Sequence, residues 1–113
     1  MLQVPAPTPT AQAQRLEVKV RVPAALRRLA GDQATIQVEA PLDASGRLSV
    51  GAVLAALEGI YPGVHDAVLD ECRAVRPHVN VFVGPDNIRL GAGLATPVPA
   101  GAEVWILPAV SGG

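Results

Sequence analysis

A single cysteine, Cys72, stands in a chain of 113 residues. It excludes an internal disulfide and a four-ligand zinc site built on thiolates. An excess of positive charge is also missing, since nine Lys plus Arg meet ten Asp plus Glu for a net charge of −1. The bulk positive field of a nucleic-acid binder is therefore absent. No apolar run approaches the ~20 residues of a membrane span. No basic start followed by a secretory apolar core marks a signal segment either. What is present is a half-hydrophobic chain with 17% charged residues. That length and balance fit one domain, which at this size buries enough apolar surface to fold without staples. The expectation is a soluble, cytoplasmic domain with neither nucleic acid nor membrane as partner.

The charge is unevenly placed. Up to Arg28 there are five basic residues against one acid, and from Gly31 onward four against nine. Such a dipole biases the docking of charged partners. Residues 1–15 hold three prolines and no acid, too little apolar surface to offset ordering entropy, and read as a flexible leader. The domain is expected over residues 16–107, followed by a mobile tail over 108–113.

From Leu16 the pattern changes. LEVKVRV alternates Leu16, Val18, Val20 and Val22 with Glu17, Lys19 and Arg21, the period of a strand with one buried face. Pro23 stops it, because proline lacks the ladder's N–H. ATIQVE alternates again, with Ile36 and Val38 inward, and reads as its hairpin partner. Ser49 stands where an N-cap belongs. Beyond it Val50, Val53, Leu54, Leu57 and Ile60 form one helical stripe. Gly59 and the Pro62-Gly63 pair are expected to end that helix, and HDAVLDEC to add a short second one. HVNVFV predicts a third strand, NIRL a brief edge strand, and AEVWIL, after the Pro99-Ala100-Gly101 turn, the last. The fold class is α+β, a mixed sheet of four to five strands on one main helix. The pattern leaves open whether the first and last strands lie side by side and parallel.

Reactive side chains carry little. His65, Cys72 and His78 match no zinc spacing and no helical repeat. They read as two solvated histidines and a small packed or surface cysteine. Gly91-Ala92-Gly93 has no following helix and no lysine, so both nucleotide fingerprints fail. The end of the chain is different. After the last strand come Pro108, Ala109, Val110, Ser111, Gly112 and Gly113, with no charge except the terminal carboxylate. Glycines lack Cβ, so such a tail can thread a narrow channel in another protein. The chemistry on offer is a carboxylate for a partner's active site.

With a helix flanked by strands, VNVFV, GLAT (Gly93 to Thr96) and a P-x-G turn before ILPAVSGG, the chain resembles the MoaD/ThiS family of ubiquitin-like sulfur carriers. Within it the likeness is to the CysO-type carriers of cysteine biosynthesis. The resemblance covers residues 16–113, and the Pro-rich leader and Pro97-Val98-Pro99 depart from it. It implies a β-grasp fold and a chain that is not itself an enzyme. It also implies an E1-like activating enzyme of the MoeB/ThiF type that holds ATP and Mg²⁺. That enzyme would adenylate the Gly113 carboxylate, a sulfur donor would convert it to a thiocarboxylate, and Val110, Ser111 and Gly112 would thread the partner's channel. The acceptor would be a cysteine synthase or, as alternatives, the large subunit of molybdopterin synthase or a target amine on a modified protein. Since Lys19 is the sole lysine, a modifier of this kind could not build branched chains of many linkages.

Phe82, Trp105 and Leu107 fall out of phase with the Val and Ile positions of their strands. Either they form an apolar patch for a partner on the open sheet face, or loops partly bury both phases.

Overall fold

The computed structural model describes residues 14–108. Strand β1 (Arg15–Arg21) and strand β2 (Thr35–Pro41) form an antiparallel hairpin in which Val18 opposes Val38 and Val20 opposes Ile36. These four side chains are buried, while Glu17, Lys19, Gln37 and Glu39 face away from the core. The segment between the strands is a 3-10 helix over Ala24–Ala30. It closes on Gly31 at φ 64, a left-handed position that glycine occupies without a Cβ penalty, and the Gly31 N–H donates to the Arg27 carbonyl.

Helix α1 (Val50–Ile60) begins as its cap residue dictates: the Ser49 hydroxyl oxygen accepts from the Ala52 N–H at 3.1 Å. Val50, Val53, Leu54 and Leu57 are fully buried. Ile60 is 47% exposed, which corrects the expected stripe. The reason is local. Tyr61 leaves helical geometry, and Pro62, whose missing N–H is harmless at a first helical position, starts helix α2 (Pro62–Val68) in a new direction. The main helix thus ends at Ile60, between Gly59 and the Pro62-Gly63 pair, as expected. The second helix starts before His65 and stops at Val68, short of the expected extent.

Strands β3 (Val79–Val83), β4 (Asp86–Asn87) and β5 (Glu103–Pro108) complete a five-stranded sheet ordered β2-β1-β5-β3-β4. The brief edge strand expected at NIRL is β4, which begins one residue earlier and ends at Asn87. The Asn87 side chain accepts from the Arg89 N–H at 2.9 Å and turns Ile88–Leu90 into a 3-10 helix, which drops Ile88 into the core. The first and last strands do lie together: β1 and β5 are parallel, with Val20 opposite Val104, and β3 and β5 are antiparallel. Val79, Val81, Val104 and Ile106 join the hairpin and α1 in one core. Each such side chain contributes about 1.5–3 kcal/mol on burial. A mixed sheet gripping one main helix is the β-grasp arrangement.

Candidate functional site

The tail-bearing strand sits at the centre of the sheet, yet its final residues are half-partnered. The pairing of β5 with β1 spans Glu103, Val104 and Trp105, whereas its pairing with β3 continues to Val79 opposite Pro108. Pro108 has no N–H, and neither does Pro77, two residues before Val79. Both strands thus reach a residue that cannot donate at the same end of the ladder, which stops the sheet there. Val110, Ser111, Gly112 and Gly113, to which the family resemblance assigns threading and sulfur attachment, lie outside the described residues, as does most of the leader.

The three residues expected to dock a partner are brought together. Phe82 opposes Trp105 and Asn80 opposes Leu107 across β3 and β5. All three apolar side chains face away from the helix, alternating with buried Val81, Val83, Val104 and Ile106. The patch is not bare. Phe82 and Trp105 are half-buried and Leu107 is 37% exposed. The guanidinium of Arg21 lies 4.8 Å from the Trp105 ring centroid, and its Nε donates to Glu103 Oε1 at 3.0 Å. The sheet face at the tail's root is therefore an aromatic pair with an ion pair laid beside it.

Two hollows flank the end of β5. The larger, about 430 Å³, is lined by apolar residues that include Pro23, Leu26, Ala67, Ile106 and Pro108 and by the polar Asp66, Arg76 and His78. The smaller, about 110 Å³, lies beside Arg21, Arg27 and Trp105. Backbone carbonyls hold the arginines in place: Arg27 Nε donates to Val22 O at 3.1 Å and Arg76 Nε to Asp66 O at 2.9 Å. Neither Arg27 nor Arg76 has a carboxylate partner among the described residues. The basic bias of the first 28 residues foreshadowed Arg21 and Arg27. Nothing in spacing pointed to Arg76, since it reaches the tail's root only through the β3–β5 pairing.

The other singled-out residues lie elsewhere or do structural work. Cys72 is exposed in a turn whose N–H groups, from Cys72 and Ala74, donate to Asp70 Oδ1 at 2.8 and 3.0 Å. His78 is exposed, as expected. His65 is not, and this is a correction: it is only 7% exposed because α2 starts early and turns it inward. Its Nδ1 lies 3.0 Å from Asp66 Oδ1, and its Nε2 has no hydrogen-bond partner among the described residues. GLAT is a brace. Thr96 closes a tight turn on the Gly93 carbonyl, and its own carbonyl accepts from the Val50 N–H at 3.0 Å, tying this loop to the start of α1. Among the described residues no group of three or more His, Cys, Asp or Glu is placed to hold a metal ion, and no helix is long and apolar enough to cross a membrane.

The ThiS family model matches residues 20–113. The sulfur carrier protein CysO of Mycobacterium tuberculosis is 36% identical over 100 residues, covering 87% of this chain and all of that protein. Small archaeal modifier protein 3 of Haloferax volcanii is 33% identical over 98 residues, covering 87% of this chain and all of its own length. Among solved structures, a chain of the Amycolatopsis orientalis BexX/CysO complex superimposes with a TM-score of 0.70 at 27% identity, over 85% of this chain and 99% of its own.

Proposed function

The chain belongs to the ThiS family, and we propose that it carries sulfur on the carboxyl carbon of Gly113 for cysteine biosynthesis. The observation that carries this reading is the match to a sulfur carrier over that protein's whole length, joined to a family match that runs through Gly113. The structure supports it by ending the central strand β5 at Pro108, immediately before the last five residues.

A carboxylate does not lose its oxygen to a sulfur nucleophile, because oxide is too poor a leaving group. In the proposed sequence an E1-like activating enzyme of the MoeB/ThiF type supplies ATP and Mg²⁺. A Gly113 carboxylate oxygen attacks the α-phosphorus and pyrophosphate leaves. Hydrosulfide from a sulfur source then attacks the acyl carbon, AMP departs with the former carboxylate oxygen, and a thiocarboxylate remains. Its sulfur displaces the leaving group of an activated serine held by the acceptor, a cysteine synthase, and hydrolysis of the resulting thioester regenerates the carboxylate. The chain itself contributes a folded handle, a narrow terminus and the acyl group. Cytoplasmic operation is part of this proposal.

A second reading has one observation in its favour, the likeness to a small archaeal modifier protein. In it the activated Gly113 acyl group passes to an amine of a target protein. Intact-mass measurement separates the two. Incubation with ATP, Mg²⁺, the activating enzyme and a sulfur source is expected to exchange one oxygen for sulfur at the terminus. Adducts on other proteins with no exchanged mass would overturn the carrier reading. Deletion of Gly112 and Gly113 is expected to abolish either product and leave the melting temperature unchanged.

A further inference from the structure

The sheet has two edges, and only one of them is blunted. At one edge β4 is two residues long. At the other, β2 runs seven residues in unbroken register with β1 and carries no lysine. Very short strands, bulges and lysines are the means by which native edges resist pairing. The Val22 N–H donates to the Ala34 carbonyl at 2.8 Å, and the Leu42 N–H to the Gln14 carbonyl at 2.9 Å. Both pairs continue the β1–β2 register, so the even-numbered residues of β2 bond to β1. Thr35, Gln37 and Glu39 therefore turn their N–H and carbonyl groups outward, and no partner takes those N–H groups among the described residues. Along this edge lies a hollow of about 660 Å³, walled by Gln37, Glu39 and Pro41 of β2 and by Ala55, Ala56 and Ile60 of α1. We propose that the β2 edge is a docking site for an extended segment of a partner protein, added antiparallel, in which aliphatic and basic residues alternate.

Each part of that description comes from the edge itself. The antiparallel ladder is the more stable one per residue, and Pro41, which has no N–H, ends it. Successive side chains of an added strand point to opposite faces of the sheet. Every second one enters the hollow on the α1 side. There Ile60 is 47% exposed, and Ala55 and Ala56 are short enough to leave room for an aliphatic side chain. The others lie on the sheet's outer face beside Glu39. That residue stands directly opposite Glu17, and like charges so placed repel. Neither carboxylate has an ion pair among the described residues, not even with Arg15, the one base lining the hollow. A base across from Glu39 relieves the repulsion, and the excess of acids from Gly31 onward adds to the attraction. Since β1 lies between β2 and β5, a strand docked here leaves the tail's root uncovered.

The test is independent of sulfur loading. The isotopically labelled full-length chain is titrated with the blocked peptide Thr-Val-Lys-Val-Lys-Val-Thr. The amide resonances of Thr35, Gln37 and Glu39 are expected to shift saturably and their hydrogen exchange to slow. The same peptide N-methylated at both lysines, whose N–H groups would face β2, is expected not to bind. Gln37→Pro removes an N–H that the β1 ladder does not use, and is expected to weaken binding at least about fivefold, the worth of one hydrogen bond. Glu39→Lys is expected to lose affinity for the lysine peptide and to gain it for the analogue with glutamates in place of lysines. The rest of the amide spectrum reports that each variant is folded. Binding by the N-methylated peptide overturns the proposal, as does equal affinity of the parent for the lysine and glutamate peptides. Shifts centred on Phe82 and Trp105 overturn it too. If the three edge amides are already slow to exchange without peptide, another occupant holds the edge, a second copy where the protection grows with protein concentration, and the proposal falls.

Discussion

Arg21 and Trp105 face each other across the parallel β1–β5 pair, the guanidinium 4.8 Å from the indole centroid. The contact exists because two strands from opposite ends of the chain lie side by side, and it makes the sheet's open face part of the fold's stability. A cation over an aromatic ring contributes about 0.5–1 kcal/mol at a partly exposed site. A double-mutant cycle of Arg21→Ala and Trp105→Ala in urea is expected to give a coupling of about 0.5–1 kcal/mol. Additive losses would show that the stacking contributes nothing. Trp105→Ala is further expected to weaken binding of the activating enzyme by more than it lowers stability. Undiminished binding by the folded variant would remove this face from the docking surface.

Ser49 caps α1 through its hydroxyl. Ser49→Ala is expected to cost about 1 kcal/mol in denaturant titration, and Ser49→Asp much less, since a carboxylate accepts the same N–H. Because Ser49 is on the loop side of the helix, sulfur loading of the folded variant is expected to be unchanged. Equal stability of all three proteins would show that the cap bond is dispensable.

His65 is buried, and its Nε2 is unpartnered among the described residues. A buried polar atom without a partner costs roughly 1–3 kcal/mol, so an apolar side chain of similar size is expected to do no harm. His65→Leu should match or exceed the parent's melting temperature at neutral pH. A loss above about 2 kcal/mol would mean that the Asp66 contact outweighs the orphaned nitrogen.

Asp43 organises the loop before α1. Its carboxyl is held below the ordinary carboxylate range, chiefly by the Ser45 hydroxyl and then by the Arg47 backbone N–H. A pKa depressed in the folded state adds stability that is present above the unfolded pKa of about 3.9 and disappears as pH falls through the folded value. Asp43→Asn keeps an acceptor and loses the charge. Its stability is expected to fall below the parent's near neutrality and to converge with it below about pH 4. Parallel pH profiles in thermal melts would contradict this.

Cys72 is exposed, and its own N–H, not its thiol, makes the turn. Cys72→Ser is expected to leave stability within about 0.5 kcal/mol and to leave sulfur loading at Gly113 intact. Loss of loading would give the thiol a role that the carrier reading does not contain.

Periodicity made much of this fold legible. The Val18–Val20 and Ile36–Val38 alternations, the Ser49 cap and the Val50–Leu57 stripe each follow from side-chain direction over a few residues. The misses share a cause. Ile60 and His65 fail where Tyr61 and Pro62 reorient the chain, and a small change of axis there turns one side chain out and the other in. Ile88 fails because a side-chain cap at Asn87 overrides its strand propensity. At the tail's root, Phe82, Trp105 and Leu107 were recognisable as out of phase, but the covering of Trp105 by Arg21 was not.

The sequence by itself determined the strands, the main helix, the proline stop at Pro23 and the uncharged diglycine end, all of which act within a turn or a strand's length. Only the tertiary structure decided that β5 lies between β1 and β3, that Arg21 covers Trp105, and that Arg76 reaches the point where the tail begins. The Arg21–Glu103 bond joins residues 82 positions apart. Contacts at that separation are chosen by which faces the whole core must bury together, and no local repeat encodes them.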